Sequence, residues 1–257
     1  MIKEETKFID SCVFEGMTSI RAIIQSIDLK ISDRKISKIL FDIDRFKKIS
    51  KEIGYLKAIS SKYNFEVISS NAEEINSMTL GNSHGGIIAV CSERIIPLLN
   101  SDSINKKNGF YTMIQGLEDP YNFGYSLRSL YACGCDGIIL PERNWMSAAG
   151  VVARSSAGAS ELLPMFTAEA IDVAKTFHEL GYSIVCADEN TDTILGKCEL
   201  KLPLLLIVGG EKRGISAALM QYADTVVKIP YARDFPASLS AASATTMIAY
   251  EISRQNF

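Results

Sequence analysis

From Gly109 onwards the chain alternates short, almost uninterrupted apolar runs with helical stretches. The runs are "FYTMIQGL", "DGIIL", "LLPMF", "SIVCAD", "LPLLLIVGG" and "TVVKIPY", and a long C-terminal helix closes the series. A strand that is apolar at successive positions must be covered on both faces, which a parallel sheet flanked by helices provides. The expectation is an α/β domain over 109–257. Its chemistry should lie in the loops that follow the strands, because ligands of open parallel sheets bind at the carboxyl ends.

The first 95 residues are organised differently. They read as a helix around Met17 to Ser26, a strand at "SKILFDI", a helix through "KEIGYLKAISSKY", a strand at "FEVIS" and a buried strand at "IIAVCS" behind the turn signal Gly81 to Gly86. Between the blocks, "IPLLNSDSINKKN" turns polar and loses periodicity, so 96–108 is expected to be a linker. Two domains in 257 residues suit a chain with 47% hydrophobic and 22% charged residues.

Composition excludes several classes. No apolar run approaches the ~20 residues of a membrane helix, and "MIKEETKF" is charged with no apolar stretch behind it, so a cytoplasmic protein without membrane association is expected. Six scattered cysteines without a C-x-x-C pair, and two histidines, predict reduced thiols and no metal site. The net charge of −3 conceals an asymmetry: 14 Lys and Arg stand against 13 Asp and Glu before Ile95, and 13 against 17 after it. Much of the positive charge falls between Lys30 and Lys62, as a local basic face or an ordinary solvated helix surface.

Three post-strand stretches stand out. In "QGLEDPYNFGYSLRSLYACG", Asp119-Pro120 imposes a turn, Asn122 is a good helix N-cap, and Phe123, Leu127, Leu130 and Tyr131 form an apolar face with Arg128 at its border. By itself Arg128 reads equally as an arginine snorkelling from a packed helix. In "LLLIVGGEKRGIS" a buried strand runs into Gly209, Gly210, Glu211 and Gly214, where glycines let a ligand approach the backbone. This is neither a phosphate loop nor a dinucleotide fingerprint. In "KIPYARDFPASLSAASATTMIAYEISR", Ile229-Pro230 ends a strand and Ser238 is the natural cap of a helix rich in Ala, Ser and Thr.

Taken in order, these stretches resemble the SpoU/TrmH branch of the SPOUT methyltransferases. Asn122, Gly124 and Arg128 match its Asn-x-Gly motif with a following arginine. Gly209, Glu211 and Gly214 match Gly-x-Glu-x-x-Gly, and Ile229-Pro230 with Ser238-Leu239-Ser240 match Ile-Pro followed by Ser-Leu-Asn. "RSSAGASELLP" resembles the family's Ser-x-Gly-Ala stretch, and "HGGIIAV" the end of a small RNA-binding domain akin to ribosomal proteins.

The resemblance implies a trefoil-knotted parallel sheet, S-adenosylmethionine as cofactor, methyl transfer to a ribose 2′-hydroxyl of rRNA or tRNA, and a homodimer built on the C-terminal helix. It assigns catalysis to Asn122, Arg128, Glu211, Ser238 and Ser240. Cofactor contacts fall to Val208, Gly209, Gly210, Gly214, Ile229, Pro230, Ser238 and Leu239, with residues 1–95 as the RNA substrate-binding domain. A guanidinium, whose pKa lies above ~12, is not a base in a protein; Arg128 would instead bind phosphate and stabilise a developing alkoxide. Ser240 departs from the usual Asn, which leaves a knotted RNA-binding protein without catalysis as the alternative. A small-molecule enzyme on a doubly wound sheet would account for neither the motif order nor the N-terminal block.

Overall fold

The structure, a computed structural model, describes residues 12–79, 84–104, 107–141, 148–210 and 214–257. Two compact units divide the chain: Met1–Ile95 with Asn144–Leu162, and Ile96–Arg143 with Leu163–Phe257.

The first unit holds a four-stranded sheet of β1 (Val13–Glu15), β2 (Ile36–Asp42), β3 (Glu66–Ser70) and β4 (Ile87–Cys91), ordered β1-β4-β2-β3. Only β2 and β3 run parallel. Helices α1 (Gly16–Asp28) and α2 (Phe46–Tyr63) supply Ile20, Ile23, Ile53 and Leu56 to a core shared with Phe14, Ile39 and Ala89. A short α3 (Ala72–Met78) is capped by Asn71, whose side chain accepts from the Glu74 N–H at 2.8 Å. Neither this seven-residue helix nor the three-residue β1 was among the elements expected from sequence; both are too short for periodicity to mark them.

A later segment of the chain, which forms α5 (Ala149–Ser155) and α6 (Ala159–Leu162), also belongs to this first unit. A division at residue 95 alone therefore does not describe the compact units. Ala149 and Ala153 enter the core, and Gly150 is glycine because a Cβ would collide with the Val13 carbonyl. Glu161 and Arg34, both buried, form a forked pair with N–O distances of 3.0 and 3.3 Å. The Arg34 guanidinium also donates to the Ser92 carbonyl at 2.6 Å and lies 4.5 Å from the Phe14 ring centroid. Arg94, its pKa lowered by burial, donates to the Ser160 carbonyl. Removing one partner of such a buried pair costs about 3–5 kcal/mol, because the remaining charge has no water to turn to.

The second unit is a six-stranded, all-parallel sheet, as the apolar alternation predicts. Its strands are β5 (Phe110–Ile114), β6 (Gly137–Leu140), β7 (Met165–Thr167), β8 (Ser183–Ala187), β9 (Leu204–Val208) and β10 (Thr225–Val227), ordered β10-β8-β9-β5-β6-β7. Leu204 to Val208 are all buried, consistent with a strand covered on both faces. Helices α4 (Pro120–Ala132), α7 (Ala170–Glu179), α8 (Ala217–Met220) and α9 (Ala241–Asn256) complete it. Within the expected linker, Leu99 and Thr167 exchange backbone contacts through Leu99 N–H to Thr167 C=O, and Pro97 C=O accepts from Thr167 N–H, so "IPLL" packs on β7.

Helix α9 docks on α4, with Thr246 Oγ1 donating to Ser129 Oγ at 2.7 Å. At its end Gln255 and Asn256 bond the backbone of Cys198, Leu200 and Leu202. The small residues of α9 serve this packing: Ala241, Ala242, Thr245 and Ala249 are buried within the chain. Their density is thus explained without a partner chain, contrary to the sequence argument for a dimer. Tyr131, expected on the buried face of α4, is exposed.

Candidate functional site

Three strands end at one cavity. Ala187 closes β8, Val208 closes β9 and Val227 closes β10, and the loops that follow wall a space of about 650 Å³. This volume lies in the range of sites for small ligands. Its floor includes Ala241, Ala244 and Ile248 of α9.

Backbone crowding explains the glycines. A Cβ on Gly210 would fall on the carbonyl of Gly116, in the turn after β5, and one on Gly209 would lie 2.7 Å from the Gly214 carbonyl oxygen. The loop after β9 therefore presses against the turn after β5 and folds back on itself, with no room for a side chain at Gly209 or Gly210. Gly214, at φ +60°, occupies the left-handed region that glycine tolerates. Its N–H donates to the Gly210 carbonyl at 3.0 Å, closing the loop.

All eight positions that the motifs assign to a cofactor line this cavity: Val208, Gly209, Gly210, Gly214, Ile229, Pro230, Ser238 and Leu239. The assigned catalytic residues are not gathered in the same way. Ser238 lines the cavity, whereas Asn122, Arg128 and Ser240 do not. Glu211 lies outside the described residues. Asn122 is not the N-cap of α4. Asp119 is, accepting from the Asn122 N–H at 2.7 Å, with Pro120 at the first helical position where its missing N–H costs nothing. Arg128 is exposed, and the helical repeat puts it on the same face as the exposed Tyr121 and Tyr125.

Ser240, not Ser238, caps α9: its Oγ accepts from the Ser243 N–H at 3.2 Å. Serine and asparagine are about equally good N-caps, so the departure from the family motif preserves this structural role.

Other lining residues had no motif to announce them. Asp188, Glu189 and Asn190 follow β8; Asp188 accepts from the Asn190 N–H at 2.8 Å, holding a tight turn that puts two carboxylates on the wall. The rule that strand ends carry the site, applied to "SIVCADEN", would have found them. Tyr231 and Phe235 also line it. Cys186, one residue before Ala187, has its thiol pKa pushed up to about 12 by burial and is no nucleophile. Among the described residues no cluster of His, Cys, Asp or Glu could hold a metal ion, and no helix is long and apolar enough to cross a membrane.

A sequence model of the SpoU rRNA Methylase family matches residues 109–250. The chain belongs to that family. It is 33% identical over 155 residues to a protein named putative TrmH family tRNA/rRNA methyltransferase from Staphylococcus aureus (strain COL), covering 58% of this chain and 61% of that protein. It is 32% identical over 178 residues to a 23S rRNA (guanosine-2′-O-)-methyltransferase, RlmB, of Shewanella oneidensis, covering 67% and 71% respectively. Among solved structures, an AdoMet-bound rRNA methyltransferase from Sinorhizobium meliloti superimposes with a TM-score of 0.78 at 21% identity, over 98% of this chain and 94% of that one. The SpoU methyltransferase AviRb from Streptomyces viridochromogenes, in complex with AdoMet, gives 0.75 at 23%, over 98% and 97%. At such identities these two likenesses establish the fold.

Proposed function

We propose that the chain is an S-adenosylmethionine-dependent methyltransferase acting on a ribose 2′-hydroxyl of structured RNA, rRNA or tRNA. The observation that carries this reading is the convergence of the loops after β9 and β10 on one cavity, the first contributing Gly209, Gly210 and Gly214 and the second Ile229, Pro230, Ser238 and Leu239. Relatives named as RNA methyltransferases support it. The cavity fits the cofactor chemically. Val208 and Ile248 offer apolar walls, the peptides at Gly209, Gly210, Ile229 and Leu239 offer donors and acceptors, and Asp188 and Glu189 suit hydroxyls or an ammonium. The family's trefoil knot is part of the proposal, supported by β9 lying between β8 and β5 and by the Gly210 to Gly116 backbone crossing.

When bound, S-adenosylmethionine supplies an electrophilic methyl group on a sulfonium. The chain's contribution is alignment and electrostatics; positioning alone contributes about 7–11 kcal/mol in well-oriented reactions. Arg128, charged and exposed on α4, would grip an RNA phosphate and stabilise the alkoxide developing on the 2′-oxygen. Asn122, three residues into α4, would orient the same nucleotide. Ser238 would hydrogen-bond at the cavity wall, Ser240 would fix the start of α9, and Glu211 would brace the loop after β9.

Residues 1–95 are proposed as the RNA substrate-binding unit. Lys47, Lys48 and Lys51 are exposed on α2, and Arg21 of α1 lies 6.0 Å from the ring centroid of the exposed Tyr55, a basic surface with an aromatic in it. A homodimer through α9 is also proposed. Its support is no longer the buried alanines but the exposed Met247 (47%) and Tyr250 (62%), one turn apart.

Calorimetry with S-adenosylmethionine and its demethylated product tests the reading. Binding of both is expected; folded protein that binds neither is not a methyltransferase of this type.

A further inference from the structure

The loop between β10 and α9 carries three large side chains where a connection needs none. Tyr231 and Phe235 line the cavity rim, 42% and 56% exposed, and Arg233 between them is exposed as well. The loop is held in one shape: the Leu239 N–H donates to the Tyr231 hydroxyl at 3.0 Å, tying its two ends together. The two rings lie 6.3 Å apart with their planes at 53°. A flat ring inserted between them would need about 7 Å between parallel faces, so nothing planar fits there. Phe235 nevertheless leaves more than half of its surface to solvent.

We propose that Phe235 is a stacking platform for an unpaired nucleobase of the RNA substrate, with Tyr231 as its positioning residue and Arg233 as a phosphate contact beside it. This rests on the RNA methyltransferase reading and adds to it the class of substrate: single-stranded or looped RNA, whose splayed bases have free faces, rather than continuous duplex. An exposed phenylalanine costs solvation that most loops avoid, and an aromatic beside a cation is the combination that captures single strands. Position argues against the cofactor's adenine as the occupant. The deeper walls of the cavity are Val208, Val227 and Ile248, all buried, whereas Phe235 projects at the rim.

The test uses the full-length protein, saturated with S-adenosylhomocysteine, and a single-stranded oligoribonucleotide containing the fluorescent base 2-aminopurine. Stacking on an aromatic ring quenches this base, and such contacts tolerate any sequence, so the natural target need not be known. The parent should bind and quench. Phe235→Ala should weaken binding roughly five- to hundred-fold and abolish the quenching. Phe235→Trp should restore both, which a merely structural residue would not do. Tyr231→Phe keeps the ring but removes the hydroxyl that the Leu239 N–H donates to, and should reduce quenching by freeing the loop. Unchanged RNA affinity and quenching in Phe235→Ala overturns the proposal. A loss of cofactor affinity in Phe235→Ala with RNA binding intact also overturns it, assigning the ring to the cofactor. A parent that binds neither ligand removes the methyltransferase reading as well, which separates the two failures.

Discussion

Gly210→Ala puts one carbon into the tightest backbone crossing at the site. The added Cβ would overlap the carbonyl carbon and oxygen of Gly116, and neither belongs to a side chain that could swing away. Gly116 itself holds a left-handed turn at φ +65°, so the turn after β5 cannot yield cheaply. Overpacking costs about 1–3 kcal/mol, and a rigid backbone neighbour argues for about 2 or more. If relief comes by displacing the Gly209-Gly210 peptides from the cavity wall, about 2 kcal/mol weakens cofactor affinity about 30-fold. The control is Gly181→Ala, at φ +78° with nothing within 4 Å, in the turn after α7: it carries backbone strain without crowding and should lower stability by about 1–2 kcal/mol while leaving cofactor affinity alone. Calorimetry and urea melts on both variants make the comparison. Gly210→Ala with parental affinity and parental stability would refute the argument that this crossing shapes the site.

Arg128→Lys keeps the charge but loses the planar fork, so turnover should fall at least tenfold with cofactor affinity unchanged; near-parental turnover would return the residue to a solvated surface role. Tyr250→Glu places a charge on the exposed stripe of α9 and should convert a dimer to monomers by light scattering, with activity falling in parallel; a parent that is monomeric and active at micromolar concentration contradicts the dimer. Chain stability should fall as pH drops below the ordinary histidine range, because burial lowers the pKa of His84. The unfolded chain then takes up its proton first, and in the fold the neutral Nδ1 accepts from the Gly86 N–H at 3.1 Å. Melts from pH 7 to 5 should lose this sensitivity in a His84→Gln variant.

What was legible in the sequence follows from what each feature depends on. The parallel sheet was legible because strands such as Leu204 to Val208 are apolar at every position, a pattern no half-exposed strand needs. The cavity walls were legible because Gly209, Gly210, Gly214 and Ile229-Pro230 specify backbone geometry, which survives as a motif. Helix caps were harder. Each start offered two candidates, and Asp119 over Asn122 is decided by Pro120, which fits best at the first helical position. Least legible was the membership of 148–162 in the first unit, since its contacts are all distant in sequence: Ala149 and Ala153 enter the core, and Arg34 meets Glu161 across 127 residues of chain. Nothing local to either residue announces that pair. The same pair makes deletion of residues 1–95 a poor test of RNA binding, because it would strip Glu161 of its partner. Charge reversal at the exposed Lys47, Lys48 and Lys51 tests it with the chain intact. The alanines of α9 misled for a related reason: close approach was correctly inferred, but the neighbour is α4 of the same chain.

The most direct test of the central claim is to incubate the protein with unmodified transcripts of rRNA and tRNA and methyl-labelled S-adenosylmethionine, digest the RNA to nucleosides, and locate the label by mass spectrometry. Label is expected on the ribose of a 2′-O-methylnucleoside and should be lost in Arg128→Lys. Label on a base, or none in either RNA with protein that binds the cofactor, would contradict the claim.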